Sequence, residues 1–367
     1  MMRITSFVHL HRTLTPTGVG VHIIEMLREL ALRDDVSLQM LVSRYETDGQ
    51  GHVLPEYALG ELPVVTYPMS RRIAEGCWRT LGWPNVERFA GPSDWVYSPT
   101  EAVIATRALP QVLTIHDMYL METNLPWSGS AASRQAGGKW KKLTSKMVKQ
   151  AKRIVTVSEF TKGRIVDLLG ADPQQISVVG NGVSQSYFEP NLDVILPVTE
   201  PYVMVVGGLT QRKNAPAVFA VAKALYAMDS QIQIVVAGKC SANYTKAAQS
   251  HPNIKLLGYV DDALLPAMMA QSIALLFLSH YEGFGMPAVE AMAAGTPVIV
   301  SPFSSLPEIV GDAGLLMDPQ DEHAIANALL CFARTPSSRD DYVRKGKAWA
   351  ENYTWKHCVD RLLACLV

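Results

Sequence analysis

Cysteine is scarce in this 367-residue chain: Cys77, Cys240, Cys331, Cys358 and Cys365 are scattered, and no C-x-x-C pair occurs. An odd, dispersed set argues against a disulfide framework or a zinc ribbon and reads as reduced thiols in a cytoplasmic setting. Net charge is nearly absent too, −1 at pH 7, whereas a nucleic-acid partner calls for a basic surplus. Apolar runs such as Ile273 to Leu278 fall far short of the roughly 20 residues that cross a bilayer. The opening stretch, Met1 to Arg12, lacks the basic start and small-residue cleavage site of a signal peptide. No D-x-D pair calls for a divalent metal, and no G-x-S-x-G string supplies a nucleophile elbow. With 48% hydrophobic and 18% charged residues, the expectation is a soluble globular protein, at most peripheral on the inner face of a membrane. Its length suits two domains.

Present instead is a long alternation of short apolar runs with amphipathic segments. In the first half the runs include ITSFVHL, VSLQMLV, PVVTYP, DWVYSP, QVLTIHD, RIVTVSE and ISVVGNG; in the second, YVMVVGG, IQIVVAG, IKLLG, IALLFLS, PVIVS and GLLMD. Runs of five to seven residues rich in Val, Ile and Leu suit strands buried on both faces, as in parallel sheets. Between them, VHIIEMLRELALR repeats Ile23, Ile24, Leu27, Leu30 and Ala31 at helical spacing. The alternation predicts an α/β architecture of two Rossmann-like, doubly wound domains. The proposed boundaries are 1–187 for the first domain, 188–201 for a linker and 202–348 for the second domain. A closing helix over 349–367 can pack back on the first.

Ligands of such sheets bind beyond the carboxyl ends of the strands, so residues just after strands carry the functional reading. After IALLFLS comes YEGFGMPAVEAMAAGTPVIVS, Tyr281 to Ser301. Pro287 suits a first helical turn and Gly295 a stop. The loop Gly283-Phe284-Gly285 then offers backbone N–H groups at a helix N-terminus, where oxyanions bind. Glu282 precedes that helix, and Glu290 is expected in its first turn, ionised with help from the dipole. After YVMVVGG, adjacent Arg212 and Lys213 suit a diphosphate, although such a pair on its own is also an ordinary surface turn. Gly18 and Gly20 fall between the first strand and first helix, where glycines let backbone approach a phosphate or simply make a tight turn. His116-Asp117 ends a strand. Ser158 reads as a helix N-cap and Asn181-Gly182 as a turn, either of which can also line a site.

The string from Tyr281 to Ser301 resembles the E-x7-E signature of retaining glycosyltransferases of family 4, and the other segments follow in the family's order along nearly the whole chain. The resemblance implies a B-type fold, with two domains facing across a cleft that holds a nucleotide-diphosphate sugar without a metal or other cofactor. It implies that Glu282 touches the donor sugar or its leaving phosphate, and that Phe284, Gly285 and Met286 contribute backbone amides. Glu290 would accept hydrogen bonds from the donor ribose, while Arg212 and Lys213 would bind the pyrophosphate, with Gly18 and Gly20 nearby. His116 would stand near the transferred sugar, and the nucleobase is expected around Gly238, Tyr259 and Val260. Many members carry arginine where this chain has Gly208, which shifts phosphate binding onto Arg212. The R-K-N form of the segment is similar to that of mannosyltransferases using GDP-mannose for surface polysaccharides, with a saccharide or lipid-linked saccharide as acceptor. A UDP-sugar donor stands as the alternative. A nicotinamide-dependent oxidoreductase or epimerase is opposed by the incomplete glycine fingerprint, and a non-catalytic subunit by the intact Glu282 and Glu290.

Two basic segments bear on a membrane. From Lys139 to Arg153 there are seven basic residues and no acid. Trp140, Leu143, Met147 and Ala151 line one side of the helix, and Lys142, Lys146, Lys149 and Arg153 the other. This is either a docked helix with a solvated face or a surface for anionic lipid. Arg71-Arg72 is the second candidate.

Overall fold

The computed structural model describes residues 1–8, 17–50, 52–53, 59–60, 62–198 and 201–367. Each of the thirteen apolar runs named above overlaps a strand: β1 Met2–Phe7, β2 Val36–Ser43, β3 Val64–Tyr67, β4 Trp95–Ser98, β5 Gln111–Ile115, β6 Arg153–Thr156, β7 Ile176–Val178, β8 Tyr202–Val206, β9 Gln233–Ala237, β10 Ile254–Gly258, β11 Leu275–Phe277, β12 Val298–Val300 and β13 Leu315–Leu316. They form two sheets, ordered β3-β2-β1-β4-β5-β6-β7 and β10-β9-β8-β11-β12-β13. Every strand pairing in both is parallel. Burial explains the composition. All residues of β5 and β12 are buried, because helices cover both faces of a parallel sheet and leave no position for a solvated side chain.

The chain divides into two compact units, one comprising Met1–Glu122, Ala131–Gly182 and Trp355–Val367, the other Thr123–Ser130 and Val183–Thr354. In the first, Phe7, Tyr67 and Trp78 pack within one core, with the Phe7 and Trp78 rings edge-on at 5.2 Å. In the second, the helix Ala215–Ala227 and the helix Glu322–Arg334 bury their apolar faces, including Val218, Val221, Leu225, Ile325 and Leu329, over the sheet. Counted from its own first strand, each sheet contains the order 3-2-1-4-5-6. Each therefore reverses direction at one switch point, between β1 and β4 in the first and between β8 and β11 in the second, where ligands of doubly wound sheets bind.

Four details differ from the sequence reading. The described part of 188–201 groups with the second unit, and besides the excursion over Thr123–Ser130 the chain changes unit at Gly182/Val183 and at Thr354/Trp355. The tail is not one helix over 349–367: Trp349 belongs to the helix Asp340–Ala350, and a separate helix runs Trp355–Ala364. Gly18 and Gly20 lie inside the first turn of the helix Gly18–Ala31, not before it. Most of the segment leading up to them lies outside the described residues. The basic segment is helical over Ala131–Gln150 and buries Met147 and Ala151 in the core, with Trp140 and Leu143 packed against it. Its opposite side is only partly a solvated cation row, since Lys146 Nζ donates to the Arg79 carbonyl at 2.7 Å and Arg153 Nε to that of Cys365 at 3.1 Å. Arg71 faces Glu46 and Glu75 at 3.7 and 3.6 Å, while Arg72 is exposed. Among the described residues no helix is long and apolar enough to cross a membrane.

Candidate functional site

At the switch point of the second sheet, the loops after β8 and β11 bring together three charged side chains that are far apart in sequence. Thr210 to Asn214 form a tight turn, in which the Asn214 N–H donates to the Gln211 carbonyl and that of Ala215 to Thr210. Asn214 itself sits at φ 55°, a left-handed conformation that asparagine tolerates better than most side chains. That turn aims Arg212 and Lys213 at the loop after β11. Arg212 donates to Glu282 Oε2 at 2.6 Å and to the Tyr281 carbonyl at 2.9 Å, and Lys213 Nζ stands 2.8 Å from Glu282 Oε1. The ammonium also lies 4.3 Å from the centroid of the Phe277 ring, a cation–π contact.

The electrostatics follow from burial and pairing. Glu282 is 8% exposed. Burial pushes its carboxyl up, but Lys213 and Arg212 outweigh that, and it titrates below its ordinary range. Lys213 is pulled down, first by burial and then by Arg212, with Glu282 offsetting only part. Two cations against one carboxylate leave one surplus positive charge, beside the positive end of the helix Met286–Ala293. Pro287 occupies its first turn, and Gly285 precedes it at φ 116°. The Ser305 hydroxyl holds the loop from behind, 3.0 Å from the Glu282 carbonyl and 2.6 Å from that of Phe284. The arrangement suits a compact polyanion such as a diphosphate.

The glycines of this edge are packed against one another. Gly207 and Gly208, at φ 94° and 75°, both donate to the Ala237 carbonyl. A side chain on Gly208 would run into the Lys239 carbonyl, and one on Gly238 would come within 2.6 Å of the Gly208 nitrogen. No arginine fits at Gly208 in this backbone, so the guanidinium of this edge comes from Arg212. Tyr259 and Val260 follow β10, with the Tyr259 side chain 56% exposed.

Glu290 departs from expectation. It lies in the second turn of its helix, which has no acid in the first. Burial, reinforced by Asp262 and opposed by Lys213, raises its carboxyl to about 7. Away from the first turn the dipole gives little help, and desolvation wins. The folded carboxyl keeps its proton to higher pH than the unfolded one, whose value is near 4.5. Its contribution to stability is thus whole below that value and is lost as pH rises to about 7. Relative to Glu290→Gln, the wild type should lose on the order of 1–3 kcal/mol of stability between pH 4.5 and 7.5, measured by urea unfolding across that range. Parallel curves for the two proteins would contradict this reading of Glu290.

In the first unit, His116 follows β5 and is 7% exposed. Its backbone N–H donates to Glu101 Oε1 at 2.8 Å, and Nε2 lies 2.9 Å from the Pro99 carbonyl. A carbonyl only accepts, so Nε2 carries the proton, and in the neutral ring Nδ1 is the acceptor. Edge-on to it, at 4.7 Å between ring centroids, is His22. His22 is fully buried, its Nδ1 2.6 Å from Asn181 Oδ1. Burial, aided by His116, lowers its value to about 3, which keeps it uncharged. Sequence reading selected His116 and treated Asn181 as a supporting turn residue, but missed His22. The available signal was a polar residue beside Ile23 on the buried stripe of an amphipathic helix. Its partner Asn181 lies 159 positions away. Ser158 caps the helix Glu159–Leu169, accepting from the Thr161 N–H. Gly182 leaves room for Trp355, whose ring a side chain there would meet at 2.6 Å.

Two family models match in succession: Glycosyltransferase Family 4 over residues 16–187 and Glycosyl transferases group 1 over residues 193–349. O-antigen chain mannosyltransferase B of Escherichia coli is 31% identical over 228 residues, a match covering 58% of this chain and 60% of that relative. The chain thus spans less than two thirds of that relative's length. A D-inositol 3-phosphate glycosyltransferase of Acidothermus cellulolyticus is 27% identical, with 94% of this chain and 84% of that one covered. Among solved structures, the sucrose-phosphate synthase from Thermosynechococcus elongatus superposes with a TM-score of 0.74 at 17% identity, covering 99% of this chain and 98% of the other. That likeness shows the B-type fold.

Proposed function

This chain belongs to glycosyltransferase family 4, and from that premise we propose that it moves a hexose from a nucleoside-diphosphate donor to a saccharide or lipid-linked saccharide. The observation that carries the reading is the Arg212–Lys213–Glu282 cluster at the switch point of the second sheet, flanked by the N-terminus of the helix Met286–Ala293. In this reading the two cations and the helix amides take up the charge that grows on the departing diphosphate, an electrostatic contribution made by groups already in place. Because protein cations supply that charge, the reaction runs without a divalent metal. Glu282 contacts the transferred sugar or its leaving phosphate, and Glu290 accepts from the ribose. His116, whose backbone N–H is held by Glu101 and whose Nε2 is held by Pro99, would offer Nδ1 as an acceptor for a sugar hydroxyl. The configuration at the anomeric carbon is retained. Mannose from GDP-mannose is the donor we favour, on the R-K-N segment and the mannosyltransferase name of the Escherichia coli relative.

The test is release of nucleoside diphosphate from a panel that includes GDP-mannose and UDP-glucose, with and without EDTA. Wild-type protein should turn over GDP-mannose at an EDTA-independent rate at least about tenfold above that with UDP-glucose, a difference of about 1.4 kcal/mol in barrier. Preference for UDP-glucose would overturn the donor assignment. Loss of turnover on chelation would overturn metal independence, and no turnover of any nucleotide sugar would overturn the reading itself.

A further inference from the structure

Beside the charged cluster lies an aromatic surface that the proposed chemistry does not use. Phe303, just after β12, is 37% exposed. Its ring lies 6.2 Å from that of His280, with the planes within 20° of each other. Trp127, from the short segment that groups with the second unit, is 6.2 Å from His280 on a tilted plane. Burial lowers the His280 imidazole below its ordinary value, so at neutral pH the three rings present an uncharged face.

This face is fixed to the reactive cluster by backbone. The His280 N–H donates to the Arg212 carbonyl at 2.9 Å, and the Glu282 N–H donates to Ser304 Oγ at 2.9 Å. The Ser301 hydroxyl donates to the Ser279 carbonyl at 2.6 Å, tying the two loops together at their roots. Ser304 sits at φ 56°, a left-handed conformation that costs a serine energy and persists only where surrounding contacts impose it. Phe303 is thus held one residue from the hydroxyl that receives the Glu282 amide. The Phe303 ring is held partly in solvent next to buried charges.

A pyranose ring matches such a surface: it has an apolar C–H face and a hydroxyl rim. Ligand sites combine apolar and aromatic walls with a few polar groups that fix orientation, and aromatic faces contribute through contact area and polarisable π-surface. We propose that Phe303, with His280 and Trp127, forms a carbohydrate-binding face that packs the C–H side of a pyranose next to Glu282. This rests on the glycosyl-transfer reading and names a site that reading leaves unassigned. The sugar comes either from the donor or from the acceptor.

The experiment compares wild type with Phe303→Ala and Phe303→Trp. Calorimetric titrations use GDP, GDP-mannose, UDP and UDP-glucose, and saturation-transfer NMR measures methyl α-D-mannopyranoside with nucleoside diphosphate present. Phe303→Ala should leave diphosphate binding unchanged and weaken a sugar-bearing ligand by about threefold to tenfold, with Phe303→Trp restoring it. A loss confined to the nucleotide sugars assigns the face to the donor hexose; a loss confined to the methyl glycoside assigns it to the acceptor. Unchanged affinity for every sugar overturns the proposal, as does an equal loss for the bare diphosphates, which marks a distorted loop. Wild-type protein that binds no nucleoside diphosphate refutes the parent reading, and this face falls with it.

Discussion

Replacing Glu282 with glutamine should abolish most transfer while leaving nucleoside-diphosphate binding intact or tighter. Two effects with different signs meet at this residue. In the reaction as proposed, the carboxylate contacts the sugar or its leaving phosphate, and removing one such preorganised polar contact costs about 10²–10³ in kcat. In the ligand-free protein the same carboxylate pairs with Arg212 at 2.6 Å and Lys213 at 2.8 Å, where it competes with an incoming diphosphate for both cations. Glu282→Gln raises the trio from one surplus positive charge to two and removes that competitor. Steady-state kinetics and GDP titration on the same variant separate the effects. A variant whose turnover survives within about tenfold has no catalytic carboxylate at this position, whatever its affinity for GDP.

Lys213→Met is expected to have the largest effect on folding stability. The substitution keeps most of the buried aliphatic stem but removes the ammonium beside a carboxylate that is 8% exposed. Breaking a buried pair by deleting one partner costs about 3–5 kcal/mol, because the remaining charge stays desolvated without compensation. Arg212 still reaches Oε2, which holds the loss near the lower end of that range. Glu282 should then titrate higher than in the wild type, so the penalty shrinks as pH falls and the carboxyl takes up a proton. The double variant Lys213→Met/Glu282→Gln should recover most of the stability, since it removes both members together. Urea unfolding of the two single variants and the double variant checks this. Losses that simply add would show that the pair is not coupled as its geometry implies.

Much of the fold was legible because parallel sheets leave a plain mark. β5 reads Gln-Val-Leu-Thr-Ile and is buried throughout, so its apolar run needs no alternation to be recognised as a strand. That Arg212, Lys213 and Glu282 come together in the second unit was legible for a related reason. These residues cluster within two short segments, each placed at the carboxyl edge by the strand before it. What escaped depends on geometry between distant segments or on fine helix register. The pairing of His22 with Asn181 spans 159 positions, and nothing local to either residue announces the other. Glu290 was expected in the first turn, but the helix begins at Met286 and Glu290 falls just past that turn, where the dipole helps little and desolvation raises its carboxyl. The basic helix was read correctly on its buried side, but the carbonyls that hold Lys146 and Arg153 come from 67 and 212 positions away.

The claim on which the rest depends is that Lys213 and its neighbours recognise the second phosphate of a nucleotide. Calorimetric titration of GDP and GMP into wild type and Lys213→Met tests it most directly. The wild type should bind GDP at least about tenfold more tightly than GMP, the increment expected of a charge-assisted contact worth about 1.5–3 kcal/mol, and the variant should lose most of that difference while its GMP affinity stays level. Equal affinity of the wild type for the two nucleotides, or an undiminished preference for GDP in the variant, would contradict it.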